Sequence, residues 1–188
     1  MFARIWRRWF QRYWQARRAG VPRRRTRPRL GVERLEERST PAVFTVTTTA
    51  DTVGGPLFSL RDAITAVNLS PDPVDTIILP AGTYSLTRNG LDESNLYGDL
   101  DLLKPSGTVN IVGAGASSTI IQAAFTGGFT DRVLHIIHLG DNLTVNISGV
   151  TIRGGHVKES ISGSARGGGI LSHGAELIVR NSILAENL

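Results

Sequence analysis

Val109-Asn-Ile-Val112, Val145-Asn-Ile-Ser148 and Leu177-Ile-Val-Arg180 decide the fold of this chain. Their first residues step by 36 and then 32 positions, and Ile111, Ile147 and Val179 keep the same step two residues later. Each piece alternates an apolar with a polar residue or nearly so, the period of a strand with one buried face. The self-similarity extends outward from these pieces. Before them stand Leu100-Asp-Leu-Leu103, Val133-Leu-His-Ile-Ile137 and Gly169-Ile-Leu-Ser172, and after them Thr119-Ile-Ile-Gln122, Val150-Thr-Ile-Arg153 and Ser182-Ile-Leu-Ala185. Three short strands per repeat, joined at bends too tight for hairpins, predict an all-β solenoid wound around a triangular prism, with about four rungs. Equivalent strands then form parallel sheets, and the inward Ile, Val and Leu pile into one core. An antiparallel β-sandwich also has short strands at regular spacing, but it explains the in-step repeat less well.

The bends carry Gly113, Gly149, Gly154, Gly155 and Gly167-Gly-Gly169, where a side chain would block close approaches of the backbone. Asn181 and Asn187 suit left-handed positions or stacking on a neighbouring bend. Towards the N-terminus, Phe44-Thr-Val-Thr-Thr-Thr49 reads as a further strand. Helical spacing follows it once: Leu60, Ala63, Ile64 and Val67 form a stripe, Ser59 is a candidate N-cap with Asp62 three residues on, and Asn68 with Pro71 supplies a stop.

The chain has 188 residues, 40% of them hydrophobic and 20% charged, which excludes collagen and low-complexity disorder. Its net charge of +5 conceals two unlike parts. Residues 1–38 hold 13 of the 21 Lys+Arg and 3 of the 16 Asp+Glu, so they carry +10 and the remainder −5. The organisation read from this is a basic leader and linker over 1–42 and the β-helix over 43–188. In the leader, Trp6, Trp9 and Trp14 recur at helical spacing with Phe2, Ile5, Phe10 and Tyr13, while Arg7, Arg8 and Arg12 lie between them. An aromatic stripe opposite a cationic one suits an anionic membrane surface. Dense Arg also suits nucleic acid, which is the competing reading but not the one adopted. With no cysteine, disulfides, thiol catalysis and cysteine-ligated metal are excluded.

Leu35-Glu-Glu-Arg-Ser-Thr-Pro-Ala42 resembles the L-E-x-R-x-x-P-A leader that precedes many large exported bacterial proteins, and implies export to the extracellular space or cell surface. Phe58-Ser-Leu-Arg-Asp-Ala-Ile64, Asn68 and Asp75-Thr-Ile-Ile-Leu-Pro-Ala-Gly-Thr-Tyr84 are similar to the signature of the CSLREA domain. That domain opens many bacterial right-handed parallel β-helix proteins. Two departures are Phe58 in place of Cys and Asp62 in place of Glu. The resemblance covers 43–188 and implies that the helix at 59–68 caps the open N-terminal end of the coil; it implies no settled activity.

Pectate lyase-like enzymes share this architecture, and likeness to them would imply Ca²⁺ held by clustered acids beside a basic residue. Asp99 and Asp101 alternate and so share a strand face, which makes them the candidate metal ligands. Calcium takes 6–8 oxygens, so the pair alone assigns no cofactor. Arg153, His156, Lys158 and Glu159 sit in or beside the excursion 154–166; Arg153, His156 and Lys158 are candidates for ligand contact, and the group for acid–base work. His135 and His138 are three apart in a strand segment, which argues against joint metal ligation. Phe125 and Phe129, in a Gly-rich excursion, are candidates for stacking on a sugar, against the alternative of folding back over the coil.

The chain stops at Leu188 after a third strand without a polar cap, which predicts either further rungs beyond it or a docking partner. The function read from all this is a non-catalytic, exported or cell-surface scaffold that contacts polysaccharide or protein. A polysaccharide lyase or hydrolase with an incomplete site is the alternative.

Overall fold

The structure is a computed structural model that describes residues 40–138, 140, 142–158 and 167–188. The leader residues Trp6, Arg7, Arg8, Trp9, Arg12 and Trp14 lie outside the described residues, as does the stretch 159–166.

The strands are β1 (Ala42–Thr45), β2 (Val74–Leu79), β3 (Gly82–Leu86), β4 (Leu100–Leu102), β5 (Gly107–Gly113), β6 (Thr119–Ala123), β7 (Leu134–Ile137), β8 (Leu143–Ser148), β9 (Thr151–Arg153), β10 (Ile170–His173), β11 (Glu176–Arg180) and β12 (Ile183–Ala185). One helix, α1 (Leu60–Leu69), follows β1. Every strand pairing is parallel, in three sheets ordered β1-β2-β5-β8-β11, β3-β6-β9-β12 and β4-β7-β10. From β2 onward consecutive strands visit the three sheets in turn, β1 being laid beside β2, and the chain is a parallel β-solenoid of about four turns.

The repeat read from the sequence is the register itself. Val109 pairs with Val145 and Val145 with Leu177, while Ile111 pairs with Ile147 and Ile147 with Val179. Ile77 precedes them in the same column. A second column runs Tyr84, Ile121, Ile152 and Leu184, and a third Leu100, Leu134 and Ile170. From Ile77 to Ile152 the inward members are essentially fully buried, each worth roughly 1.5–3 kcal/mol. In the last turn, where no described strand stacks on β11 and β12, Val179 and Leu184 are exposed.

The corner between the first and second sheets shows why glycine is needed. Gly149 has φ +68°, and a Cβ on Gly113 of the turn below would collide with the Gly149 carbonyl oxygen. Asn181 takes the left-handed conformation at the same corner one turn on, with φ 49°. Asn187 uses the other device: its Oδ1 accepts from the Gly155 amide at 3.0 Å and its Nδ2 donates to the Ile152 carbonyl at 3.1 Å.

The expected N-terminal strand is shorter than the Thr-rich run suggests. β1 ends at Thr45, although the Val46 amide still donates to the Ile78 carbonyl. Thr47 then leaves the sheet because its amide and hydroxyl engage Phe58, which brings the chain round to the helix.

α1 begins with the expected N-cap. Ser59 accepts from the Asp62 amide, and Asp62 accepts in return from the Ser59 amide, completing a capping box. Its apolar stripe, Leu60, Ala63, Ile64 and Val67, is buried on the core. Polar side chains finish the job by pairing with the free edge of β4, a row that would otherwise invite another strand. Arg61 donates to the carbonyls of Tyr97, Gly98 and Asp99 at 3.1, 2.7 and 2.9 Å and pairs with Asp51 at 2.7 Å. Asn68 donates to the Asp101 carbonyl and accepts from the Leu103 amide. Asn95 accepts from the Asp101 amide and donates to the Arg61 carbonyl. Below, Asp75 occupies an inward position of β2 and is neutralised by buried Lys104 at 2.6 Å, with the Ser70 hydroxyl on its other oxygen.

Candidate functional site: the stacked loops and the acidic crevice

Two corners of the prism are turned in a few residues, whereas the third is not. Long excursions 87–99, 124–133 and 154–169 leave after β3, β6 and β9 and return to β4, β7 and β10. The described parts of all three lie at the same corner, one above another. Asn89 and Thr126 exchange hydrogen bonds between the first and second. Lys158 donates to the Gly128 carbonyl at 3.2 Å and the His156 amide to the Asp131 carbonyl at 2.9 Å between the second and third. Loops held on a rigid frame are where binding and catalytic groups concentrate.

The first excursion folds back over the outer face of the three-stranded sheet. Asp92 organises it by accepting from the Ser94 hydroxyl and the Leu96 and Tyr97 amides. Arg88 donates to the Leu96 carbonyl at 2.6 Å and lies 5.0 Å over the Tyr97 ring. Beneath this loop, Leu100 and Leu102 point into the core and Asp101 points outward, yet Asp101 is 0% exposed because the loop covers it. His135 is its register partner on β7 and shares the outer face.

The result is an acidic crevice. The Nδ1 of His135 lies 3.5 Å from a Glu93 oxygen and 3.7 Å from an Asp101 oxygen, and the ligand atoms of these three residues all lie within 4.8 Å of one another. Both Asp101 carboxylate oxygens are buried without a hydrogen-bond partner. Asp99 turns to a different environment: Arg132 sits 3.5 Å from its carboxylate, and Asp131 accepts from its amide. Burial, then Asp131 nearby, pushes the Asp99 carboxyl up to about 7 against the pull of Arg132. Burial, then the neighbouring Asp99 and Glu93 charges, pushes Asp101 up to about 8. His135 is held down to about 4 by burial, with Arg132 and His173 adding repulsion.

The metal candidates Asp99 and Asp101 thus share one crevice, but the ligand atoms that converge are those of Asp101, Glu93 and His135. In the sequence Glu93 stands with Asp92 only as a loop pair of acids beside Asp99 and Asp101, too few to claim a site, and the three-residue offset from His138 argues against His135 as a joint ligand. The available signal was the register: one repeat above Asp101, the column places His135.

The other candidates are distributed around the stack. Phe125 and Phe129 meet edge to face with centroids 5.2 Å apart, and Phe125 packs partly onto the core, so it does fold back over the coil. Lys158 is exposed and His156 partly so, both at the loop corner. Arg153 lies elsewhere, on the outer face of the second sheet, where it donates to Gln122 at 3.0 Å and Gln122 to Ser85 at 2.9 Å. Arg153, on the second sheet, and Asp99, at the end of the first excursion, therefore do not share a face. On the first sheet a parallel ladder joins Asn146 to Asn110 at 3.0 Å and Asn110 to Thr76 at 3.3 Å.

Among the described residues no helix is long and apolar enough to cross a membrane. No protein-family model matches the chain, and no curated protein or solved structure is significantly similar to it.

Proposed function

We propose that this chain is an exported or cell-surface β-solenoid scaffold of the CSLREA type, whose stacked loops and polar ladders make non-catalytic contact with an extracellular polysaccharide or protein. The observation that carries this reading is the placement of three hydrogen-bonded excursions at one corner of the coil. Polar rows such as Ser85, Gln122 and Arg153 line up one polar side chain per turn, which suits weak, polyvalent contact with an extended polymer. The leader then contributes delivery and contact with an anionic membrane surface through Trp6, Trp9, Trp14 and the arginines between them.

A glycan array probed with the full chain, paired with a product assay on acidic polysaccharides, tests the reading. Binding without products, weakened by changing Phe129 or Lys158, is the expected result. A second reading, a polysaccharide lyase or hydrolase, draws on the two carboxyls raised into the neutral range, a common setting for acid–base catalysis. Turnover abolished by Asp99→Asn would establish it instead.

A further inference from the structure

We propose that Glu93, Asp101 and His135 bind one borderline divalent ion of the Zn²⁺ class, which clips the 87–99 excursion onto the outer face of the three-stranded sheet. The site stands apart from the scaffold reading and does not depend on it. Three observations converge. The ligand atoms, from a loop, β4 and β7, already lie within 4.8 Å of one another, whereas ligands about 2.0 Å from a tetrahedral ion are about 3.3 Å apart. Glu93 is 68% exposed at its side chain, so the member that must move is the one free to do so. Asp101 is 0% exposed, both its oxygens lack a hydrogen-bond partner, and one of them lies 3.7 Å from the His135 Nδ1.

A buried carboxylate without partners is costly, and such groups are normally paired or bound to metal. Among the described residues the cation acting on these acids is Arg132, which is engaged by Asp99 at 3.5 Å. Around the site stand the carboxyl groups of Asp92, Glu93, Asp99, Asp101 and Asp131, more acidic groups than one arginine can pair and a setting that a divalent ion fits. The donor set identifies the ion. Two carboxylates and an imidazole nitrogen match zinc and its first-row neighbours, whereas calcium needs 6–8 oxygens and magnesium an oxygen octahedron. Three protein ligands leave a position for water on the Glu93 side.

The test is calorimetric titration of the full chain with Zn²⁺, with Co²⁺ absorption reporting ligand geometry. One ion per chain is expected, with affinity reduced at least about tenfold by Asp101→Asn, His135→Gln and Glu93→Gln. Glu93→Gln alters an exposed side chain and keeps the test valid if the buried variants fold poorly. His156→Gln, outside the site, should bind as the unaltered chain does. Absence of binding at about 0.1 mM Zn²⁺, affinity unmoved by Glu93→Gln and His135→Gln, or equal competition by Ca²⁺ would each overturn the assignment.

Discussion

Replacing Arg61 by Leu removes the residue that closes the N-terminal end of the coil. The side chain is fully buried and serves four groups at once: the Asp51 carboxylate at 2.7 Å and the carbonyls of Tyr97, Gly98 and Asp99. Its loss leaves Asp51, 2% exposed, with only the amides of Thr87 and Arg88. Breaking a buried ion pair costs about 3–5 kcal/mol, and each orphaned buried carbonyl about 1–3. Water reaching the opened edge offsets part of this, so we expect Arg61→Leu to lose about 5 kcal/mol. Because a domain is stable by only about 5–15 kcal/mol, that is a large fraction of the total. Arg61→Lys retains the ion pair but not the fork of donors, and is expected to lose about 2–3 kcal/mol. Urea unfolding followed by circular dichroism, with slopes compared between variants, measures both. A loss under about 1 kcal/mol for Arg61→Leu would refute the argument that the β4 edge depends on this side chain.

Asp75→Ala strands buried Lys104 and should cost about 3–5 kcal/mol, whereas replacing both residues by apolar ones of similar volume should recover most of it; a double variant no better than the single contradicts this. Ile136→Ala, in the fully buried interior of β7, is expected to lose about 2–5 kcal/mol in the same assay. Gly149→Ala places a Cβ at φ +68° and against the Gly113 carbonyl, so it should be destabilised, while Asn181→Gly should be tolerated; equal effects would argue against the close stacking at that corner. The crevice predicts an inverted pH dependence. With Asp99 near 7 and Asp101 near 8, the folded chain holds protons that the unfolded chain releases above about pH 4, so these groups make stability fall as pH rises and level off above 8. His135, held near 4, acts in the opposite sense between about pH 4 and 6.5, where only the unfolded chain gains the proton. The difference between the unaltered chain and the Asp99→Asn, Asp101→Asn double variant should change by up to about 2.7 kcal/mol per pH unit below pH 7, where both groups hold their protons, and by less than about 1.4 near pH 8, in metal-free buffer; a difference that does not vary with pH contradicts the reading.

The coil and its cap are legible in the amino-acid sequence. The 36- and 32-residue steps of Val109, Val145 and Leu177 are the pairing register, and Ser59, Asp62 and the Leu60 to Val67 stripe form the capping helix where expected. Both are periodic, and a periodic apolar pattern has few ways to bury itself. What the tertiary structure alone decided is the fate of the polar residues. That Arg61, Asn68 and Asn95 would seal a strand edge, that Asp101 would be covered and Asp99 turned to Arg132, and that Glu93 would meet His135 depend on an irregular loop folding back over the sheet. That loop is held by single contacts, Asp92 to its own backbone and Arg88 over Tyr97, which do not repeat from turn to turn among the described residues and so leave no period to be read.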